Sequence, residues 1–166
     1  AERFHGAWPH WMVGETGKVK PFSRFDDGGD LVETSFIAQG LICVKQYFKN
    51  GNQKEKELSA LADELWKDID FDWYRNKQNV LYWHWSPTNQ WKMNFPVKGF
   101  NECLIMYVLG AASPTHGISK DVYDEGWAMN GAIRNPRSYK GTDLQFFHQG
   151  DAKHGGPMFW SHYSFL

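Results

Sequence analysis

Four carboxylates crowd one short segment: Asp26, Asp27, Asp30 and Glu33, with Gly28 and Gly29 among them. Charged groups are costly to remove from water, so such a cluster is solvated, caps a helix, holds a cation or does chemistry. Asp30 and Glu33 have the spacing of a capping-box variant, and acids suit the positive end of a helix dipole. Capping does not explain Asp26, Asp27 or the two glycines, which let the backbone turn tightly beside them. A further acid, Glu102, follows Asn101, a good N-cap residue, and precedes the apolar run Leu104, Ile105, Met106. A carboxyl in that setting is expected to be buried with a raised pKa, as a general acid requires.

His5, His10, His84 and His116 fit no standard zinc spacing, because His-Glu-x-x-His and Cys-x-x-Cys are both missing. Asp-Asp-Gly-Gly-Asp could hold calcium but lacks the twelve-residue loop pattern. No metal or cofactor is expected. Neither a Gly-x-Gly-x-x-Gly, nor a P-loop, nor a Gly-x-Ser-x-Gly motif occurs, which disfavours nucleotide binding and serine hydrolysis. Between the two acidic sites lie Trp83-His84-Trp85 and Trp91. These could be core, or a platform on which the C–H faces of a pyranose stack, with His84 giving a hydrogen bond. In a strand, His84 would point away from both neighbouring Trp, so a mixed role is expected. Carboxylates beside aromatic platforms suggest sugar chemistry.

The elements that must position these groups read mainly as helices. Asp30 to about Lys49 is expected to be a helix, apolar on most sides and ended by Asn50-Gly51-Asn52. Gln53 to about Asp68 reads as an amphipathic helix with one wet face. Phe100 to Ala112 reads as a third helix, ended by Ser113-Pro114, and Ser119 to about Asn130 as a short fourth. Residues 139–149 and 157–165 read as strands or hairpin arms. Alternation of nearly all-apolar and one-sided helices is what inner and outer helical layers require; a bundle and an α/α toroid both satisfy it.

The 166 residues suit one domain, and the net charge of -1 gives no reason to expect nucleic acid or an anionic membrane surface. No apolar run approaches the ~20 residues of a membrane span. Cys43 and Cys103 are expected to be free and buried. Nine Trp are more than a core obviously needs. Both ends run directly into motif-like aromatic sequence, so residues 1–166 are expected to be a segment of a larger catalytic domain, incomplete at both ends.

The chain resembles the bacterial glucoamylase-like family that includes endo-β-1,2-glucanases. The matching stretches are Arg3 to Trp11, Gly14 to Lys18, Asp26 to Thr34, Leu81 to Pro87, Asn101 to Leu104, Ser113 to His116 and Gly155 to Leu166. The related domain of cyclic β-1,2-glucan synthases shares some of this pattern. The resemblance implies part of a six-hairpin (α/α)6 toroid, with the small β-hairpin region near the C-terminal end. It implies endo-acting hydrolysis of β-1,2-glucan with inversion, in a bacterial periplasm or at a cell surface, by a protein that is a monomer in its complete form. Inversion needs an acid for the leaving oxygen and a base for a water, about 6.5–9.5 Å apart. The family's functional carboxylates match Asp26, Asp30, Glu33 and Glu102. Glu102 is the expected general acid; the other three position sugar hydroxyls or the water, and the base is one of them or a residue beyond Leu166. Trp11, His84, Trp85, Trp91, His116 and Tyr139 are the candidate subsite walls. Two rivals remain: a glycan phosphorylase or transglycosylase using Arg134, Arg137 and Lys140, and a non-catalytic glycan-binding protein.

Overall fold

The computed structural model describes residues 1–134, 137–143, 146 and 156–164. Two long helices frame it: α1, Leu31–Phe48, and α2, Gln53–Lys67. Helix α1 starts where the acids predict, because the Asp30 side chain accepts a hydrogen bond from Glu33 N at 2.9 Å. Asn52 and Glu55 close a complete capping box, so the break after α1 is also the start signal of α2. Lys45 and Lys67 each hold Asp63 at 2.6 Å, and Ser59 Oγ donates to Lys45 O at 2.8 Å, which ties the two helices side by side.

Only the first half of α1 enters the core, through Leu31, Val32, Thr34, Ser35 and Ala38. Ile37, Val44 and Tyr47 face outward. Cys43 lies on that exposed half, contrary to expectation, whereas Cys103 is buried as expected; both are free thiols.

Helix α3 is Leu104–Ala112 and begins four residues later than its apolar pattern suggests. The reason is local. Asn101 Oδ1 accepts from Cys103 N at 2.9 Å, so the expected cap closes a separate turn ahead of the helix, and Glu102 sits in that turn. The expected fourth helix is a wide π-type turn, Val122–Trp127, followed by a 3-10 turn, Met129–Gly131. The wide turn places Val122, Gly126 and Trp127 together against the core. Buried Tyr107 of α3 pins the loop opposite: its hydroxyl donates to Val97 O at 2.7 Å and accepts from Leu81 N at 3.0 Å.

Two short antiparallel pairs complete the fold. Strand β1, Gly29–Asp30, pairs with β2, His84–Trp85, placing Gly29 opposite Trp85 and Asp30 opposite His84. Strands β3, Ser138–Tyr139, and β4, Thr142–Asp143, form the expected hairpin near the C-terminal end; residues 144–145, 147–149 and 165 of the expected arms lie outside the described residues. The last expected arm is instead a helix, α4, Met158–Ser164. Pro157 stands just ahead of its first turn, where a missing N–H costs nothing, and Phe159 and Tyr163 are one helical turn apart. No described helix is long and apolar enough to cross a membrane.

Candidate active site

The β1–β2 pairing carries the acidic segment under the Trp-rich loop. Asp30 has no solvent exposure. Its Oδ1 takes the Glu33 N–H; its Oδ2 meets His10 Nδ1 at 2.7 Å and accepts from Trp83 Nε1 at 2.8 Å. These three hydrogen bonds hold the carboxylate in place and occupy both of its oxygens, which makes it a poor candidate for the base. The hydrogen bond to Asp30 raises the His10 pKa, outweighing the desolvation that opposes it, and so favours the imidazolium form. No spacing pattern joins His10 to Asp30, 20 residues away, and sequence reasoning had considered it only for zinc. Trp83, expected as platform or core, is a hydrogen-bond donor to the site.

Asp26 lies behind this pair, 2% exposed. Burial, with a smaller push from Asp30, raises its pKa to about 6, against the pull of His10. Its Oδ1 is 3.6 Å from His84 Nε2, which accepts the Gly28 N–H at 3.0 Å. That acceptor role assigns the neutral tautomer with its proton on Nδ1, in keeping with burial lowering the His84 pKa. His84 is 2% exposed, so it supports the acidic loop from beneath and is no subsite wall. Asp27 accepts from Asn89 Nδ2 at 3.0 Å, clipping the same loop to the next one. Gly28 and Gly29 are needed for space rather than for turning. A Cβ on Gly28 would lie 2.2 Å from Trp85 O, and one on Gly29 would lie 2.1 Å from Tyr74 Oη.

His10, Asp26 and Asp30 bring potential ligand atoms within 4.8 Å of one another, a grouping that could hold a cation. The same atoms are joined by the His10–Asp30 hydrogen bond, so a protonated His10 supplies positive charge at this place without one.

Glu33 and Glu102 stand apart from that buried network. They line one cavity of about 300 Å³ with Phe36, Phe159 and Tyr163. Burial and the Asp30 charge raise the Glu33 pKa, with a smaller contribution from Glu102. Glu102 is half-buried rather than enclosed. Phe36 and Tyr163 meet edge to face at 5.1 Å, and Ser164 Oγ donates to Asn101 O at 2.5 Å, so α4 closes over the Glu102 turn. Two carboxyls, one of them with its pKa raised, between apolar rings form a site able to move a proton onto or off a sugar oxygen.

The expected subsite walls are dispersed. Trp11 is exposed at the rim, edge to face with Phe22, which lies against His10. Trp85 and Trp91 instead group around Trp73. His116 is exposed and faces Asp70 at 3.7 Å, with no contact to the four acids. The Tyr139 side chain lies outside the described residues.

Comparison with known proteins agrees with this picture. The family model described as "Putative glucoamylase" matches residues 94–166. The chain is 40% identical, over its whole length, to 25% of an exo β-1,2-glucooligosaccharide sophorohydrolase (non-reducing end) of Parabacteroides distasonis. It superposes with a TM-score of 0.96 on an endo-β-1,2-glucanase from Chitinophaga pinensis, in complex with sophorotriose and glucose, at 64% identity; 99% of this chain and 40% of that chain are covered. A β-1,2-glucanase structure from Parabacteroides distasonis gives 0.89 at 39% identity, covering 99% of this chain and 26% of the other. The chain thus spans about a quarter to two-fifths of the length of these relatives.

Proposed function

We propose that this chain, which matches the glucoamylase family model over residues 94–166 and resembles β-1,2-glucanases over its length, carries the acidic half of a glycoside hydrolase site acting on β-1,2-glucan. The observation that carries this reading is the shared cavity of Glu33 and Glu102 between aromatic rings, beside a buried Asp30 whose two oxygens are already hydrogen-bonded. Glu102 serves as proton donor to the leaving oxygen. Glu33, held up in pKa, hydrogen-bonds a sugar hydroxyl or the water in line with it. Asp30, His10 and Asp26 hold the floor of the site. Inversion and endo action belong to the proposal, as do a toroid completed by further helices and action in the periplasm or at the cell surface. The outward Ile37, Val44 and Tyr47 of α1 and Val108 of α3 are apolar faces on which such helices would pack.

The test uses the full-length enzyme on linear β-1,2-glucan and on an aryl β-sophoroside with a good leaving group. Loss of the acid matters little when the leaving group departs unaided. Glu102→Gln should therefore lose at least about a hundredfold on glucan and recover most of it on the aryl substrate. Glu33→Gln should lose activity on both. Equal losses for Glu102→Gln on the two substrates would remove it as the acid, and a parent enzyme that binds glucan without releasing sugar would make this a binding protein.

A further inference from the structure

A second aromatic surface lies away from the acidic cavity. Trp73 and Trp91 line a cavity of about 400 Å³ with Asp72, Arg75, Asn76 and Lys77, and none of these six borders the cavity of Glu33 and Glu102. Both indoles are held in place. Trp73 stacks on His5 at 3.7 Å and meets the edge of Trp85 at 5.4 Å, yet it stays 39% exposed. Trp91 is backed by Tyr74 and Tyr82. The two indole planes differ by 32° with centroids 6.5 Å apart, which makes a shelf to lie across rather than a slot to enter.

The rim is polar and fixed. Arg75 donates to Asp72 at 2.6 Å, to Gln78 O at 3.0 Å and to Asn79 at 3.4 Å. Asn76 and Lys77 both take left-handed backbone conformations, φ 48° and 59°, an uncommon and costly state for residues other than glycine. Flat apolar faces edged by planar donors and acceptors suit a pyranose, whose ring has C–H faces and an equatorial belt of hydroxyls. The Asp72 charge offsets Arg75, which leaves Lys77 as the uncompensated charge among the lining residues.

We propose that the Trp73–Trp91 shelf is a second glucan-binding site, which holds polymer away from the bond being cut and raises its effective concentration at the acidic cavity. This rests on the glucan-hydrolase reading above. The test uses full-length enzyme carrying Glu102→Gln to stop cleavage, titrated with linear β-1,2-glucan and with sophorotriose. Trp73→Ala removes the platform. Asn76→Gly with Lys77→Gly strips the rim while suiting the left-handed backbone, so it spares the fold. Each should weaken polymer binding about fivefold. In the active enzyme, each should lower the ratio of kcat/KM on polymer to kcat/KM on sophorotriose by a similar factor. Both variants keeping affinity and ratio within about twofold of the parent would overturn the shelf while leaving the hydrolase intact. A loss in Trp73→Ala with none in the glycine pair would overturn it too. A parent that neither binds nor cleaves the glucan would remove the underlying reading and the shelf together.

Discussion

Asp30→Asn tests the buried network most directly. Asparagine caps helices about as well as aspartate, so the bond from Glu33 N survives. The other oxygen becomes an NH2, which now faces the Trp83 Nε1–H, donor against donor, where the wild-type distance is 2.8 Å. An orphaned buried donor costs about 1–3 kcal/mol, and loss of the charge-assisted part of the His10 bond adds roughly 1–2 kcal/mol. The expected destabilisation is about 2–5 kcal/mol, measured by chemical denaturation of the full-length enzyme. Asp30→Ala should lose about 1 kcal/mol more, because the cap goes as well. The His10 titration, followed by histidine-selective NMR, should move down in Asp30→Asn, since the charged acceptor that raises it becomes an NH2, which can donate only to the neutral ring. A cost below about 0.5 kcal/mol with an unmoved His10 titration would refute the account of Asp30 as the fixed anion of the site.

Two further outcomes follow from the same geometry. Asp26 has a folded pKa of about 6 against an ordinary 3.8, so the stability tied to its protonated form is complete below 3.8 and lost as pH rises through 6. The size is about 3 kcal/mol for so buried a carboxyl. His10, raised above 6.5, acts in the same sense, its contribution being complete below 6.5 and lost above its folded pKa. Stability should therefore fall from about pH 4 to beyond 6.5, and Asp26→Asn should flatten the lower part of that slope in denaturation midpoints; an unchanged slope would contradict the burial argument. Gly29→Ala would drive a Cβ to within 2.1 Å of the Tyr74 hydroxyl, which itself donates to Phe4 O at 2.8 Å. It should cost more than about 3 kcal/mol in thermal unfolding, whereas Gly14→Ala, where a Cβ meets nothing within 4 Å, should be nearly silent.

Local signals were readable wherever local bonding decides the structure. Asp30 and Asn52 announce α1 and α2 because cap and capped N–H lie three residues apart. The same logic misplaced the start of α3, since Asn101 looks like a cap but binds the N–H two residues on, not the helix. The segment at 157–165 carries Phe, Trp and Tyr, residues as common in strands as in buried helices, and the Pro157 start signal had to outweigh them. The four acids stand out in the sequence because carboxylates beside apolar runs are conspicuous. Their division of labour does not. Whether an acid is saturated, like Asp30, or lines a cavity, like Glu33, depends on His10 and Trp83, which reach it through tertiary structure alone. The expectation that Glu102 would be the enclosed carboxyl failed for the same reason: the turn holding it leaves it half-exposed, while Asp26 is sealed by the distant loop that carries His84.

The bond from Trp83 to Asp30 spans 53 residues. On a ribosome adding about 5–20 residues per second, that interval lasts roughly 3–10 seconds. For that time the nascent chain carries Asp26, Asp27, Asp30 and Glu33 without the indole that will cover them, and helix α1 has its cap but no roof. Mutual repulsion keeps such a stretch extended and hydrated until the Trp-rich loop emerges. The acidic cluster thus doubles, during synthesis, as a solubilising leader for an apolar helix.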